Sequence, residues 1–356
     1  MSAMLKILNE IYRPGESLCI SPRGLYTVLM NIMIGCKKDT MNKIKDILGI
    51  FGSYAPIPEK EEFYTDTCDD NNKLINESVM LIEKEYPVKK DFINSSIDIF
   101  NTKVVSFDRD EEVAEKIRKW IISSTNGFIK EFDISLGEDT RLAIINLVYL
   151  NLRWKYPFCT ERTTKLPFEK YDGSKVRIDT MIMNNTYNYY KYDECLKSKI
   201  VVLEYDDYRF EMFIIIPDTA TGIDGVVSSF KNSNVVNRVL CKKDMSLTEI
   251  DLYLPKFNIE YEVNLIDALI NIGCGDIFKT GELVNVSDVK TLRISTVRQK
   301  SILKIDEKGT EAASVTELCS TDGISNIVKV HANVPFMCLV ADIQTKIPLF
   351  VSIFQG

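Results

Sequence analysis

Apolar side chains recur at helical spacing in a few stretches of the chain. Leu25, Val28, Leu29, Ile32 and Met33 follow Ser21-Pro22 with the period of an amphipathic helix; Ser21 is placed to cap it, Pro22 fits its first turn and Gly35 stops it. Met41, Ile44, Ile47 and Leu48 predict a second helix, opened by Thr40 and closed by Gly49 in the left-handed conformation. Val113, Ile117, Trp120, Ile121 and Ser124 predict a third behind the acidic turn Asp110-Glu111-Glu112. Leu265, Leu269 and Ile272 mark a short fourth, stopped by Gly273.

Extended patterns dominate the rest. Ala143 to Leu152 is a nearly continuous apolar run, which predicts a central strand buried on both faces. Ile200–Tyr205 and Phe210–Ile216 flank the polar turn Asp206-Asp207 and read as a hairpin. Ile250, Leu252 and Leu254 alternate up to Pro255, a half-buried strand that ends there, and the C-terminal stretch is strand-like again. Helices early and strands late predict an α+β protein around large, mostly antiparallel sheets. Residues 51–73 are polar and acidic (Glu59, Glu61, Glu62, Asp66, Asp69, Asp70), the pattern of a solvated loop rather than a metal site.

Residues 307–334 fit neither pattern. A stretch this long without core-forming periodicity, inside a compact protein, is functional or disordered. Its first half is ordered in composition: Thr310, Ala312, Ser314 and Thr316 are small or β-branched at every second position, with Glu311, Ala313, Val315 and Glu317 on the alternate set. As a strand, it would bury small side chains on one face. Inserting roughly 12 residues at about 1 kcal/mol net per hydrogen bond releases on the order of 10 kcal/mol.

Composition narrows the function classes. The 356 residues are 45% hydrophobic and 27% charged, as in a soluble globular protein with a sizeable core. No Pro-, Gly- or Ser-rich stretch or fixed-period repeat divides them, so one domain over 1–356 is expected. A formal charge of −7 without a Lys/Arg stripe argues against nucleic acid or a membrane surface as partner. Lys6, Glu10 and Arg13 interrupt the N-terminal stretch, which is therefore neither signal peptide nor membrane span, and a cytoplasmic protein is expected. Nine cysteines, an odd number without C-x-x-C, predict reduced thiols rather than disulfides or a zinc site, and neither metal nor cofactor is expected. The sequons at Asn94 and Asn285 then carry no glycan. His331 is the sole histidine, so HExxH and every two-histidine mechanism are excluded and any Ser or Cys triad would need His331 itself.

Asp306-Glu307-Lys308-Gly309-Thr310-Glu311-Ala312-Ala313-Ser314 closely resembles the hinge of inhibitory serpins, and further landmarks follow in family order. They are Ser21-Pro22 with Gly35 and Thr40; Trp120, Thr125 and Gly127; Asn146, Tyr149, Trp154, Pro157 and Phe158; Leu252, Leu254, Pro255, Lys256 and Phe257; Gly273, Ile277 and Phe278; and Pro335-Phe336 with Pro348-Leu349-Phe350. The resemblance implies the serpin fold: three mainly antiparallel β-sheets, eight or nine helices and an exposed reactive-centre loop at about 307–334. It also implies a monomeric suicide inhibitor, not an enzyme, captured covalently by a host protease, either a caspase or a serine protease, as its loop enters the main sheet. Glu307, Gly309, Thr310, Glu311, Ala312, Ala313, Ser314 and Thr316 would form the hinge, and Ser21 and Asn146 part of the shutter. The family's shutter usually adds a second serine and a histidine, where Gly24 and Gln299 stand here. The short lead before Ser21 and the short Gly49–Leu74 connection resemble poxviral intracellular serpins, notably the cytokine response modifier type, with helix D reduced or missing. That implies the host-cell cytoplasm and a block on apoptosis or inflammatory processing.

Two registers for the scissile bond remain open. The count used by most serpins puts the cut after Gly323; a loop one residue shorter on this side puts it after Asp322. Chemistry favours Asp322-Gly323: caspases and granzyme B hold an aspartate through a basic pocket, and a small following residue crowds the nucleophile least. Cys319, Ser320 and Thr321 then fill the preceding subsites, with Cys319 read as a bait side chain rather than a reactive thiol. A cut elsewhere, for example after Leu318, is a third possibility. Val315, Gly24 and Gln299 keep open a non-inhibitory serpin-fold binding protein, and inhibition of a serine protease without aspartate specificity is another alternative.

Overall fold

The N-terminal segment folds as α1 (Ser2–Ile11), burying Met4, Leu5, Ile7 and Leu8 and leaving Lys6 on its outer face. This is a computed structural model that describes residues 2–50, 73–108, 111–125, 127, 129, 132, 137–309 and 327–356. After β1 (Leu18–Ile20), α2 (Pro22–Gly35) starts as expected: the Ser21 hydroxyl accepts the Gly24 amide at 3.0 Å and Pro22 occupies the first turn. Its far end is closed from a distance. The Asn285 side chain donates to the carbonyls of Ile34 and Cys36, at 3.1 and 2.9 Å, and its backbone N–H to that of Gly35.

One expected helix start is corrected. α3 runs Lys38–Leu48 with Lys37 at its cap, so Thr40 lies inside the first turn rather than before it. Thr40 lies two residues past the helix start, where the backbone is already helical, whereas the extended cap residue is Lys37; Thr40 is buried and its hydroxyl donates to the Glu282 carboxylate. Gly49 closes the helix at φ 72°, as expected.

The order continues β2 (Lys73–Glu83), α4 (Lys90–Phe100), β3 (Thr102–Phe107), α5 (Glu111–Ser124), β4 (Leu142–Asn151), β5 (Thr164–Glu169), β6 (Lys175–Asp193), β7 (Ser198–Glu204) and β8 (Phe210–Pro217). Then come α6 (Gly222–Ser229), α7 (Ser233–Val239), β9 (Ser246–Pro255), β10 (Phe257–Asn264), α8 (Ile266–Leu269), β11 (Ile294–Ile305), β12 (Val328–His331), β13 (Phe336–Asp342) and β14 (Ile347–Phe354). Eight α-helices thus stand among the described residues. The expected reduction of helix D falls on residues 51–72, outside them. Among the described residues no helix is long and apolar enough to cross a membrane.

The strands form a five-stranded sheet, β10-β11-β4-β2-β3, and a nine-stranded one, β1-β14-β13-β8-β7-β6-β9-β12 with β5 on β6. Two of the three expected sheets are joined here because β6 is long and shifts register between Met183 and Thr186. Its first part pairs with β5 and β9, its last residues with β7.

Within the five-stranded sheet, β4 is buried on both faces, as its apolar run predicts. Ala143, Ile145, Leu147 and Tyr149 pack with Ile117 and Ile121 of α5, Val79 and Leu81 of β2, and Ile302 of β11. Leu142 and Ile144 join the opposite core, built on α1 to α3. α5 therefore spans β2, β4 and β11.

Candidate functional site

β4 and β11 are parallel neighbours, in register from Leu303↔Leu150 through Gln299↔Asn146 to Thr296↔Ala143, while β4 pairs antiparallel with β2 and β11 antiparallel with β10. A strand laid between them would be antiparallel to both, the more stable arrangement. The chain leaving β11 already turns in that sense: Asp306 and Gly309 form an antiparallel bridge. Gly309 sits at φ +89°, where an added Cβ would lie 2.4 Å from both the Leu152 carbonyl oxygen and the Trp154 nitrogen. Only glycine meets both demands.

The segment Asp306 to Gly309 is tied down on three sides. The Phe158 N–H donates to the Glu307 carbonyl at 2.7 Å, the Trp154 N–H to the Lys308 carbonyl at 3.2 Å, and the Trp154 indole to the Asp306 carbonyl at 2.9 Å. Trp154 is itself stacked on Tyr205, ring centroids 4.6 Å apart. The Glu307 carboxylate, in a residue 4% exposed, accepts from Lys256 Nζ and from the Thr163 hydroxyl, both at 2.8 Å. Burial by itself would raise the Glu307 pKa, but the Lys256 and Thr163 bonds and a backbone donor outweigh it and hold the carboxyl below its usual value. The Glu307 bond in turn holds the Lys256 ammonium above its usual value, against a smaller opposing effect of burial.

Further down the same seam, Ser21, Asn146 and Gln299 meet. The Ser21 N–H donates to Gln299 Oε1 at 2.8 Å, and Gln299 Nε2 donates to the Ser21 carbonyl at 3.1 Å and to Asn146 Oδ1 at 2.8 Å. Asn146 Nδ2 reaches Ser78 Oγ at 3.0 Å and Asn76 Oδ1 at 2.9 Å on β2. The Ser21 hydroxyl donates to the Leu349 carbonyl at 2.6 Å. Gln299 thus completes a network that Ser21 and Asn146 could not close across the seam alone. Gly24 lies against it: a Cβ there would sit 2.4 Å from Asn146 Oδ1 and 3.1 Å from Gln299 Nε2.

Of the residues expected at the hinge, Glu307 and Gly309 are described. Thr310, Glu311, Ala312, Ala313, Ser314 and Thr316 lie outside the described residues, as do Cys319, Ser320, Thr321, Asp322 and Gly323. Gln299 stands where the resemblance placed it, in the shutter, whereas the pairings of Thr163 and Lys256 with Glu307 were not foreseen. Each joins segments far apart in sequence, and no local pattern marks such pairings. His331 ends β12 with its ring 5.2 Å from that of Tyr253; burial, and then the charge of Lys199, lowers its pKa and favours the neutral ring.

The sequence model of the family described as Serpin (serine protease inhibitor) matches residues 2–354. The chain belongs to the serpin family. This serpin is 62% identical over 356 residues, the full length of both chains, to an uncharacterized serpin-like protein of fowlpox virus (strain NVSL). A second such fowlpox protein is 65% identical over 132 residues, which cover 37% of this serpin and 89% of the relative. Among solved structures, Serpin48, a highly specific serpin of the insect Tenebrio molitor, superposes with a TM-score of 0.86 at 22% identity, covering 100% of this serpin and 95% of that chain. That likeness confirms the serpin fold.

Proposed function

We propose that this serpin inhibits a protease as a suicide substrate, with residues 307–334 as its bait loop and the cut after Asp322. The observation that carries the reading is the Asp306↔Gly309 bridge beside the parallel β4–β11 seam. A strand continuing from Gly309 in that register would bring Thr310 opposite Ile305, Ala312 opposite Leu303, Ser314 opposite Ser301 and Thr316 opposite Gln299. Those four partners are buried on the core side of β11, so the small, alternating set faces inward, as its composition requires. The other set meets complementary neighbours: Glu311 comes opposite Lys304 and Glu317 opposite Arg298, cross-strand charge pairs worth roughly 0.2–1 kcal/mol each. Val315 then comes opposite Lys300, on the face of β11 shared with Ile302 and covered by α5.

In this mechanism the catalytic groups belong to the target. The protease's serine or cysteine nucleophile adds to the Asp322 carbonyl carbon and the Asp322–Gly323 bond breaks. The Gly323 nitrogen leaves as an amine, taking the proton, and Asp322 remains as an ester or thioester. Strand insertion then carries the acylated protease away before water completes the reaction. Asp322 favours caspases or granzyme B as targets, and the poxviral relatives favour action in the host-cell cytoplasm against apoptosis or inflammatory processing, by a monomer that needs no metal or cofactor.

Incubation with a caspase panel and granzyme B tests this. A covalent complex stable to denaturant is expected, and mass spectrometry of the released C-terminal fragment should begin at Gly323. Cleavage without loss of protease activity would refute inhibition, and a fragment beginning at Ile324 or Cys319 would move the bait residue. Thr310→Arg should turn the inhibitor into a substrate, because a charge cannot be buried at the first inserted position.

A further inference from the structure

We infer that Tyr187 and Leu247 form a docking surface for the body of the target protease, outside its active-site cleft. The inference rests on the suicide-substrate reading above and names where on this chain the protease settles while it holds the bond. Among the described residues, four large apolar or aromatic side chains are more than half exposed: Tyr208 at 78%, Tyr187 at 62%, Leu247 at 60% and Tyr156 at 52%. They fall into two groups. Tyr156 and Tyr208 flank Lys155, whose Nζ lies 5.4 and 5.6 Å from their ring centroids, next to the Trp154–Lys308 bond and so near Gly309. Tyr187 and Leu247 lie on β6 and β9. Leu247 is opposite Tyr189 and Tyr187 opposite Glu249, so all of them share one face, with Tyr187 and Leu247 diagonal neighbours about 7–8 Å apart. Tyr189 on that face is covered: its ring packs against the core and Lys242 Nζ sits 4.4 Å from its centroid. Tyr187 and Leu247 join neither core, and burying such a pair against a partner is favourable.

Chain length decides which group a protease meets. β12 runs parallel to β9 with Val328 beside Ile250, and β9 extends back from Ile250 to Ser246. Asp322 is six residues before Val328, a span of at most about 22 Å, whereas thirteen residues and up to about 47 Å separate it from Gly309. A cut after Gly323 shortens the first span further. The bond is therefore tethered to the β12 end. Leu247 lies three positions along β9 from Ile250 and one strand across from β12, about 11 Å from Val328. A globular protease of about 250 residues has a radius of gyration of about 18 Å, so a cleft closed on this bond brings its flank over Tyr187 and Leu247. Glu249 beside Tyr187 adds an acidic rim; Asp251, two positions on, is engaged by the Asn185 N–H at 3.0 Å and faces Lys329. The partner surface that fits is apolar, with a basic rim.

The test uses the intact protein and the members of the caspase and granzyme B panel that it captures. Tyr187→Ser and Leu247→Ser, both at exposed positions, should each slow complex formation about tenfold at unchanged Tm, the cost of one interface anchor. The same protease with its nucleophile replaced by alanine should bind each variant about tenfold more weakly than wild type, a readout that needs neither cleavage nor insertion. Glu249→Gln should slow capture at low ionic strength and not in about 0.5 M salt, where a rim charge is screened. Tyr208→Ser, in the other exposed group, should capture at the wild-type rate. Wild-type rates for both Tyr187→Ser and Leu247→Ser, or an equal loss for Tyr208→Ser, would overturn the docking surface and leave inhibition standing. No effect of Glu249→Gln at low salt would overturn the basic rim. A wild type that sediments as a dimer, with Tyr187→Ser a monomer, would give the patch to a second copy instead. A wild type that captures no protease of the panel would overturn the suicide-substrate reading, and the surface with it.

Discussion

Glu307 shows how single residues set the resting state. Its carboxyl is held below its ordinary value of 4.5, so the stability it contributes is complete above that value and is lost as pH falls through the lowered one. Lys256 is raised above 10.5, so its share is complete below that value and is lost only as pH rises further. The tie at the loop base is thus intact across neutral pH and opens in acid. Lys256→Met leaves burial of Glu307 opposed only by Thr163 and a backbone donor. The Glu307 pKa should then rise, and the acid-unfolding midpoint, followed by Trp154 fluorescence, should move to higher pH. Gly309→Ala should lower stability by about 1–2 kcal/mol from the left-handed backbone alone, with the close backbone contacts adding to it; denaturant melts measure the sum. At this scale the sequence was legible where a property is local. The alternation from Thr310 to Thr316 could be read off directly. The meeting of residues 21, 24, 146 and 299 was legible only through the family resemblance, since it depends on a register between distant strands that no local pattern shows.

Among the elements, α5 and β4 were foreseen because each carries its period in a contiguous run. α1, α4, α6 and α7 and strands β2, β3 and β6 were not singled out. β6 shows why: it serves two sheets and changes register between Met183 and Thr186, so no single alternation runs through it. Thr40 reads as a cap, but the helix starts two residues earlier behind the extended Lys37, and the Thr40 hydroxyl donates to Glu282 of a distant segment. The lid over the seam is α5, held by Ile117 and Ile121 against β2, β4 and β11. Ile121→Ala should cost about 2–5 kcal/mol in urea unfolding, as for other buried Ile truncations. On the proposed mechanism it should also speed uptake of a synthetic peptide of residues 310–320, because α5 would have to lift for a strand to pass beneath it.

For the molecule as a whole, the proposed insertion would add a strand antiparallel to both its neighbours. Cutting the loop with a non-target protease should therefore raise Tm by roughly 10 °C or more, given about 10 kcal/mol released and the unfolding entropy of a chain this size. A scanning-calorimetry trace unchanged by cleavage would contradict that expectation. The family and fold were legible because many weak landmarks occur in order along the whole chain, whereas the target preference rests on Asp322 alone.

The parallel pairing of β4 with β11 has a last consequence, for time rather than energy. Under the proposed insertion, a protein whose lower state is barred by the opening of its own sheet would age: each spontaneous parting would be a chance to spend the loop without ever meeting a protease. Its working life is then a half-life, steep in temperature and invisible to any equilibrium melt, and selection on this chain acts on a clock as much as on a structure.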